Sequence, residues 1–178
     1  FNVADAAISV VAPLTAAKTF SPATVVRNNV TRITVTFTRT LGASLFTGLA
    51  MTDPLPAGFV IAPTPTPATT CTSGTVTATP GATSFSLSGA SLGTVIGSSA
   101  SCTVSVNVQA ASTTGTYTNT IPVGNVTANS VAGSVANTSA ATRTINVVDG
   151  VSVNKTFSPT SLIPGGTSRI TIFINNPS

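Results

Sequence analysis

Two cysteines, three carboxylates, seven cations and no histidine make up the reactive side chains of this sequence. Cys71 and Cys102 lie 31 positions apart, and neither has a second cysteine or a histidine near it in the chain. A zinc site therefore fails for want of ligands. Two readings remain for the pair, free buried thiols or a disulfide. The disulfide is the better one, because each cysteine borders a strand-like run, and it implies an oxidising compartment. The loop it closes has a size at which loop-closure entropy gives ~3–4 kcal/mol. Without histidine, neither a Ser/His/Asp nor a Cys/His arrangement can be built. Asp5, Asp53 and Asp149 are spread too widely along the chain to suggest a carboxylate pair. No Gly-x-Gly-x-x-Gly or Walker-type loop occurs. The expectation is a protein that is not an enzyme, needs no cofactor and holds no metal.

Composition narrows the class further. The chain has 178 residues, enough for one sandwich-sized domain and some extra strands. Only 6% of residues are charged, and the mean hydropathy is +0.46. A soluble domain ordinarily carries about a quarter charged residues, so serine and threonine must supply the polarity here. The net charge of +4 comes from scattered cations set against few acids. With no lysine or arginine run, no tryptophan and one tyrosine, a nucleic-acid surface is not expected. No stretch reaches the roughly 18 apolar residues of a membrane helix. No signal peptide is present and the chain opens at Phe1, which reads either as a removed leader or as an excerpt of something longer.

The elements that must position any site are strands. Arg32–Thr38 alternates apolar and hydroxyl residues, as do Thr83–Ser88 and Cys102–Val108. That period of two describes half-buried strands in a two-layer structure. Turn signals separate them, among them Asn28-Asn29, Asp53-Pro54, Pro56-Ala57-Gly58 and Pro80-Gly81. The prediction is an all-β sandwich. Pro63, Pro65 and Pro67 read as an extended edge loop leading to Cys71.

An internal repeat organises the chain. Lys18-Thr19-Phe20-Ser21-Pro22 returns as Lys155-Thr156-Phe157-Ser158-Pro159, 137 residues on, and the same offset aligns Arg32-Ile33-Thr34 with Arg169-Ile170-Thr171. Ile145–Gly150 echoes Phe1–Ala6. Residues 1–14 then read as the last strand of a preceding repeat plus a linker, 15–148 as a complete repeat, and 149–178 as a linker and the first strands of the next. Those first strands cannot bury an apolar face alone. Phe1 and Val3 at one end, and Phe157, Ile170 and Ile172 at the other, are the expected assembly residues, with neighbouring copies or repeats as partners.

These motifs, together with Met51–Gly58, Thr70-Cys71, Ser101–Val104 and Gly115–Ile121, resemble the tandem immunoglobulin-like repeats of large secreted bacterial surface proteins (domain of unknown function eleven and its relatives). The resemblance implies an immunoglobulin-like sandwich with extra strands belonging to neighbouring repeats, a secreted or cell-surface location, and a structural or adhesive role. Sandwiches similar to this one can join a lysine to an asparagine through an autocatalytic isopeptide bond. The candidates are Lys18 on the first strand, Asp53 at the end of a Leu45–Thr52 strand, and Asn119 on the Tyr117–Ile121 strand. The amine must be neutral to attack, and burial favours that form. The ordinary alternative makes Lys18 a solvated residue, Asp53 a turn cap and Asn119 a strand amide.

Two functions follow from this reading. One is a structural repeat or subunit of an extracellular fibre, stalk or sheath, assembling head to tail by strand sharing. The other is an adhesin repeat binding a host or environmental ligand through loops such as Ala62–Thr70. That loop lacks the aromatic and arginine anchors expected of a binding site.

Overall fold

The computed structural model describes residues 13–39, 45–93 and 100–176, and every regular element among them is a strand. In chain order these are β1 (Leu14–Ser21), β2 (Thr24–Val26), β3 (Val30–Arg39), β4 (Phe46–Pro54) and β5 (Val60–Ile61). Next come β6 (Ala68–Thr69), β7 (Thr75–Thr77), β8 (Ser84–Leu92), β9 (Ala100–Gln109) and β10 (Gly115–Ile121). The last five are β11 (Val126–Ser130), β12 (Gly133–Ala136), β13 (Ala141–Val148), β14 (Ser152–Ser158) and β15 (Arg169–Asn175).

Alternation builds the first sheet. Ile33, Val35 and Phe37 of β3 are fully buried, as are Val104, Val106 and Val108 of β9, while the hydroxyl residues between them stay partly accessible. β1, β3 and β9 pair antiparallel in that order, and β5 and β6 both add to the far side of β9. The second sheet runs β12-β11-β4-β8-β7, and its inward residues Leu49, Met51, Phe85 and Leu87 join the same core. This is a sandwich-like packing of two β layers. A third, small sheet, β10-β13-β2, has β13 antiparallel to β10 and parallel to β2. It lies beside the core, with β13 packed near β1 and β10 near β4.

Local chemistry sets the corners. Phe59 N–H donates to Pro56 O at 3.0 Å, closing a turn in which Gly58 takes φ +84°. Only glycine adopts that conformation cheaply at the third position of such a turn. The Pro-rich segment is more than a loop. Asn107 N–H donates to Pro65 O at 2.8 Å, and Arg32 reaches Thr66 O, Asn107 Oδ1 and Ser105 Oγ, so the segment is pinned along the edge of β9. Asp53 lies inside β4 rather than beyond it, because Pro54 still pairs with Ser84 as the last residue of the strand. A proline is tolerated at such a terminal position.

β14 and β15 form a separate antiparallel pair. Their large apolar side chains are exposed, including Phe157 at 45%, Ile170 at 54% and Ile172 at 59%. Phe1 and Val3 lie outside the described residues.

Candidate functional site

Three polar residues occupy inward positions that the alternation of their strands reserves for apolar ones. On β1 the inward row is Leu14, Ala16, Lys18 and Phe20. On β4 a register shift near Gly48 is followed by the inward row Leu49, Met51 and Asp53. On β10 the buried residues are Asn119 and Ile121. β1, β4 and β10 belong to three different sheets, and their inward rows meet at one point in the core.

There Lys18 Nζ lies 2.8 Å from Asp53 Oδ1, both side chains having no solvent exposure. Lys18 Nζ also donates to Asn119 Oδ1. Asn119 Nδ2 donates to Asp53 Oδ1 at 3.0 Å and to Pro54 O at 2.7 Å. The second Asp53 oxygen, Oδ2, is buried with no hydrogen-bond partner among the described residues. Lys18 is thus no solvated strand-entry residue, and Asp53 caps no turn.

Burial disfavours charge on both titratable groups. Loss of water lowers the Lys18 pKa from its ordinary 10.5, and the nearby Asp53 opposes that only in part. The same loss of water raises Asp53 above its ordinary 3.8, opposed in part by Lys18 and by the Asn119 amide. Both shifts favour a neutral amine beside a neutral acid, the pair that nucleophilic attack on an amide requires.

The geometry also supplies a proton path. Asp53 Oδ1 touches both the attacking nitrogen, Lys18 Nζ, and the nitrogen that would leave, Asn119 Nδ2. A single protonated carboxyl can therefore deliver its proton to the leaving nitrogen and take one back from the attacking nitrogen. The Pro54 carbonyl holds the amide nitrogen on the Asp53 side. Proximity is built in by the strands, with no substrate to capture from solution.

The remaining expected residues fall elsewhere. Cys71 and Cys102 form a disulfide with Cα atoms 4.8 Å apart, tying the segment after β6 to β9. Phe157, Ile170 and Ile172 sit on the β14–β15 pair, away from the cluster in sequence and exposed. Sequence reasoning did not single out the Pro54 carbonyl, and only the meeting of β4 with β10 reveals it. It also missed Arg39 as an interior residue; the side chain is fully buried at the end of β3, and a Cβ at Gly93 would lie 2.9 Å from its Nη2. Asn137, within an Asn-x-Ser/Thr triplet, is 1% exposed and fastens the β11 start by accepting from Val126 N–H at 2.9 Å. Its neighbours explain it as a structural amide.

No curated protein matches the chain. Among solved structures it is similar to BslA, described as a bacterial hydrophobin, at 18% identity over 80% of this chain and 98% of that one. The TM-score is 0.45, a likeness too loose to bear on fold or function. Residues 14–147 match the family model described as domain of unknown function DUF7933, from β1 to the penultimate residue of β13, and the chain belongs to that family.

Proposed function

We propose that this chain is a structural module of a secreted or cell-surface array, an immunoglobulin-like sandwich stiffened by an isopeptide bond between Lys18 and Asn119. The observation that carries the proposal is the buried meeting of Lys18, Asp53 and Asn119. In the reaction the Lys18 Nζ lone pair attacks Asn119 Cγ and a new C–N bond forms. The Cγ–Nδ2 bond breaks as Asp53 gives its proton to Nδ2, ammonia leaves, and the proton lost by Nζ restores the acid. An amine and a primary amide become a secondary amide and ammonia, with no oxidant and no outside reagent. The chain acts once on itself and does not turn over, so it is read as no enzyme.

A covalent tie at this place has a mechanical meaning. Lys18 and Asn119 are 101 positions apart in sequence. Tension entering at β1 would cross the bond to β10 and pass to its partner β13, bypassing everything between. At ~3.4 Å per residue the shielded segment amounts to roughly 340 Å of contour. The disulfide lies inside that segment, so its part is thermodynamic stability and support for an oxidising, extracellular setting.

Head-to-tail assembly is the second half of the proposal, supported by the exposed apolar pair β14–β15 and its match to the start of the repeat. Units joined in this way make a heterologous contact that propagates into a fibre, stalk or sheath. The reading as a tandem immunoglobulin-like repeat of surface proteins rests on the same repeat and motif order. Single-molecule pulling from the chain ends tests the mechanical claim. With the disulfide reduced, the wild-type module should refuse the roughly 340 Å extension that Lys18→Ala releases; equal extension in both would contradict it.

A further inference from the structure

We propose that Lys155 is the nucleophile of a second isopeptide bond, formed when β14 and β15 are covered by strands of the same type as β4–β13. This inference rests on the Lys18–Asn119 reading and extends it to a residue outside that cluster.

β14–β15 reproduces β1–β3 residue for residue. In the first pair Ala16 faces Phe37, Lys18 faces Val35 and Phe20 faces Ile33. In the second, Val153 faces Ile174, Lys155 faces Ile172 and Phe157 faces Ile170, each shifted by the repeat offset of 137. The loop lock recurs as well. Thr31 Oγ1 donates to Pro22 O at 2.7 Å, and Ser168 Oγ, at the equivalent position, donates to Pro159 O at 2.7 Å. Two strand pairs with the same register and the same side-chain tie are the same element.

Their surroundings differ. In the first pair, the row holding Lys18 is buried against β4, β8, β10 and β13. In the second, Val153, Phe157, Ile170, Ile172 and Ile174 are all exposed. Lys155 stands in that apolar row, with Nζ 5.5 Å from the centre of the Phe157 ring. A lysine amid an otherwise apolar row is poorly explained as a solvated face, because the opposite face of β14 already carries Asn154, Thr156 and Ser158. The face calls for an occupant that covers apolar side chains and offers a polar partner opposite the lysine. Strands equivalent to β4 and β10 have both, an inward Asp and an inward Asn amid apolar rows. The occupant is therefore another unit of this repeat type that lacks a β1–β3 pair of its own, since in a complete unit that place on β9 is filled. Covering would strip water from the Lys155 amine as it does from Lys18, and the same condensation would follow, again with loss of ammonia.

The test extends the full chain after Ser178 with a copy of its own residues 42–148, which supplies those strands in register with the 137-residue offset. After disulfide reduction, the extended chain should fall short of its sequence mass by about 34 Da, two molecules of ammonia, and its Lys155→Ala variant by about 17 Da. Peptide mapping should link Lys155 to the Asn119 counterpart in the added segment. Amide hydrogen exchange on β15 in the same sample separates the outcomes. An unprotected β15 overturns the docking, and a protected β15 with free Lys155 overturns the bond. Either result alongside an intact Lys18–Asn119 link refutes this inference alone, whereas loss of both links refutes the parent reading too. A covalent dimer of unextended chains through Lys155 would overturn the choice of occupant, since a complete second copy would then have given up its own β1–β3.

Discussion

Lys18 and Asp53 would be a costly pair to keep as ions, because desolvating two charges offsets much of their attraction. The proposed amide would remove the problem at Lys18 permanently and leave a neutral acid. Taking away one partner should be severe. Asp53→Ala strands a buried lysine, which typically costs about 3–5 kcal/mol, and it removes the proton path, so both thermal stability and the ammonia loss should disappear together. Lys18→Met is a cleaner probe of Asp53. Without the cation, nothing but the Asn119 amide opposes the upward shift of Asp53 from 3.8. A carboxyl with a raised folded-state pKa contributes stability that is complete below the unfolded value and is lost as pH rises through the folded value. The Lys18→Met melting temperature should therefore be higher near pH 4 than near pH 8, and a flat profile would contradict the burial of Asp53. Much of this site was legible in the chain, since Lys18, Asp53 and Asn119 share the parity of Phe20, Met51 and Ile121. The Pro54 carbonyl and the burial of Arg39 were not, because both depend on strands far apart in sequence.

Strand alternation made β3, β8 and β9 readable, and the long antiparallel pairing of β3 with β9 follows from two matched apolar rows. The third sheet was not readable. Its parallel pairing of β13 with the three-residue β2 depends on where the chain returns after the ten intervening strands, and no local pattern encodes that. Nor do β5 and β6, two residues each, rise above the turn signals around them. The disulfide ties this weakly patterned region to β9. Replacing Cys71 and Cys102 with serine should lower unfolding free energy by ~3–4 kcal/mol from loop-closure entropy, measured by denaturant titration. The sandwich should persist, because the core rows of β3, β4, β8 and β9 remain. A loss below ~1 kcal/mol would mean that the unfolded chain is already constrained in this region.

At the scale of the molecule, one covered unit carries an uncovered piece of the same design. Exposed strands with apolar faces and open edges associate unless something covers them. Cutting the chain after Asp149 removes β14 and β15 while leaving every strand of the first three sheets. The truncated protein should keep its melting temperature and lose any self-association seen by light scattering or electron microscopy. Persistent filaments after truncation would place the assembly surface elsewhere.

The central claim is the bond between Lys18 and Asn119, and intact mass with peptide mapping tests it most directly. The reduced protein should weigh about 17 Da less than its sequence, one ammonia. Trypsin should leave Lys18 uncleaved, in a branched peptide that also contains Asn119. A full sequence mass, with cleavage after an unmodified Lys18, would contradict the account.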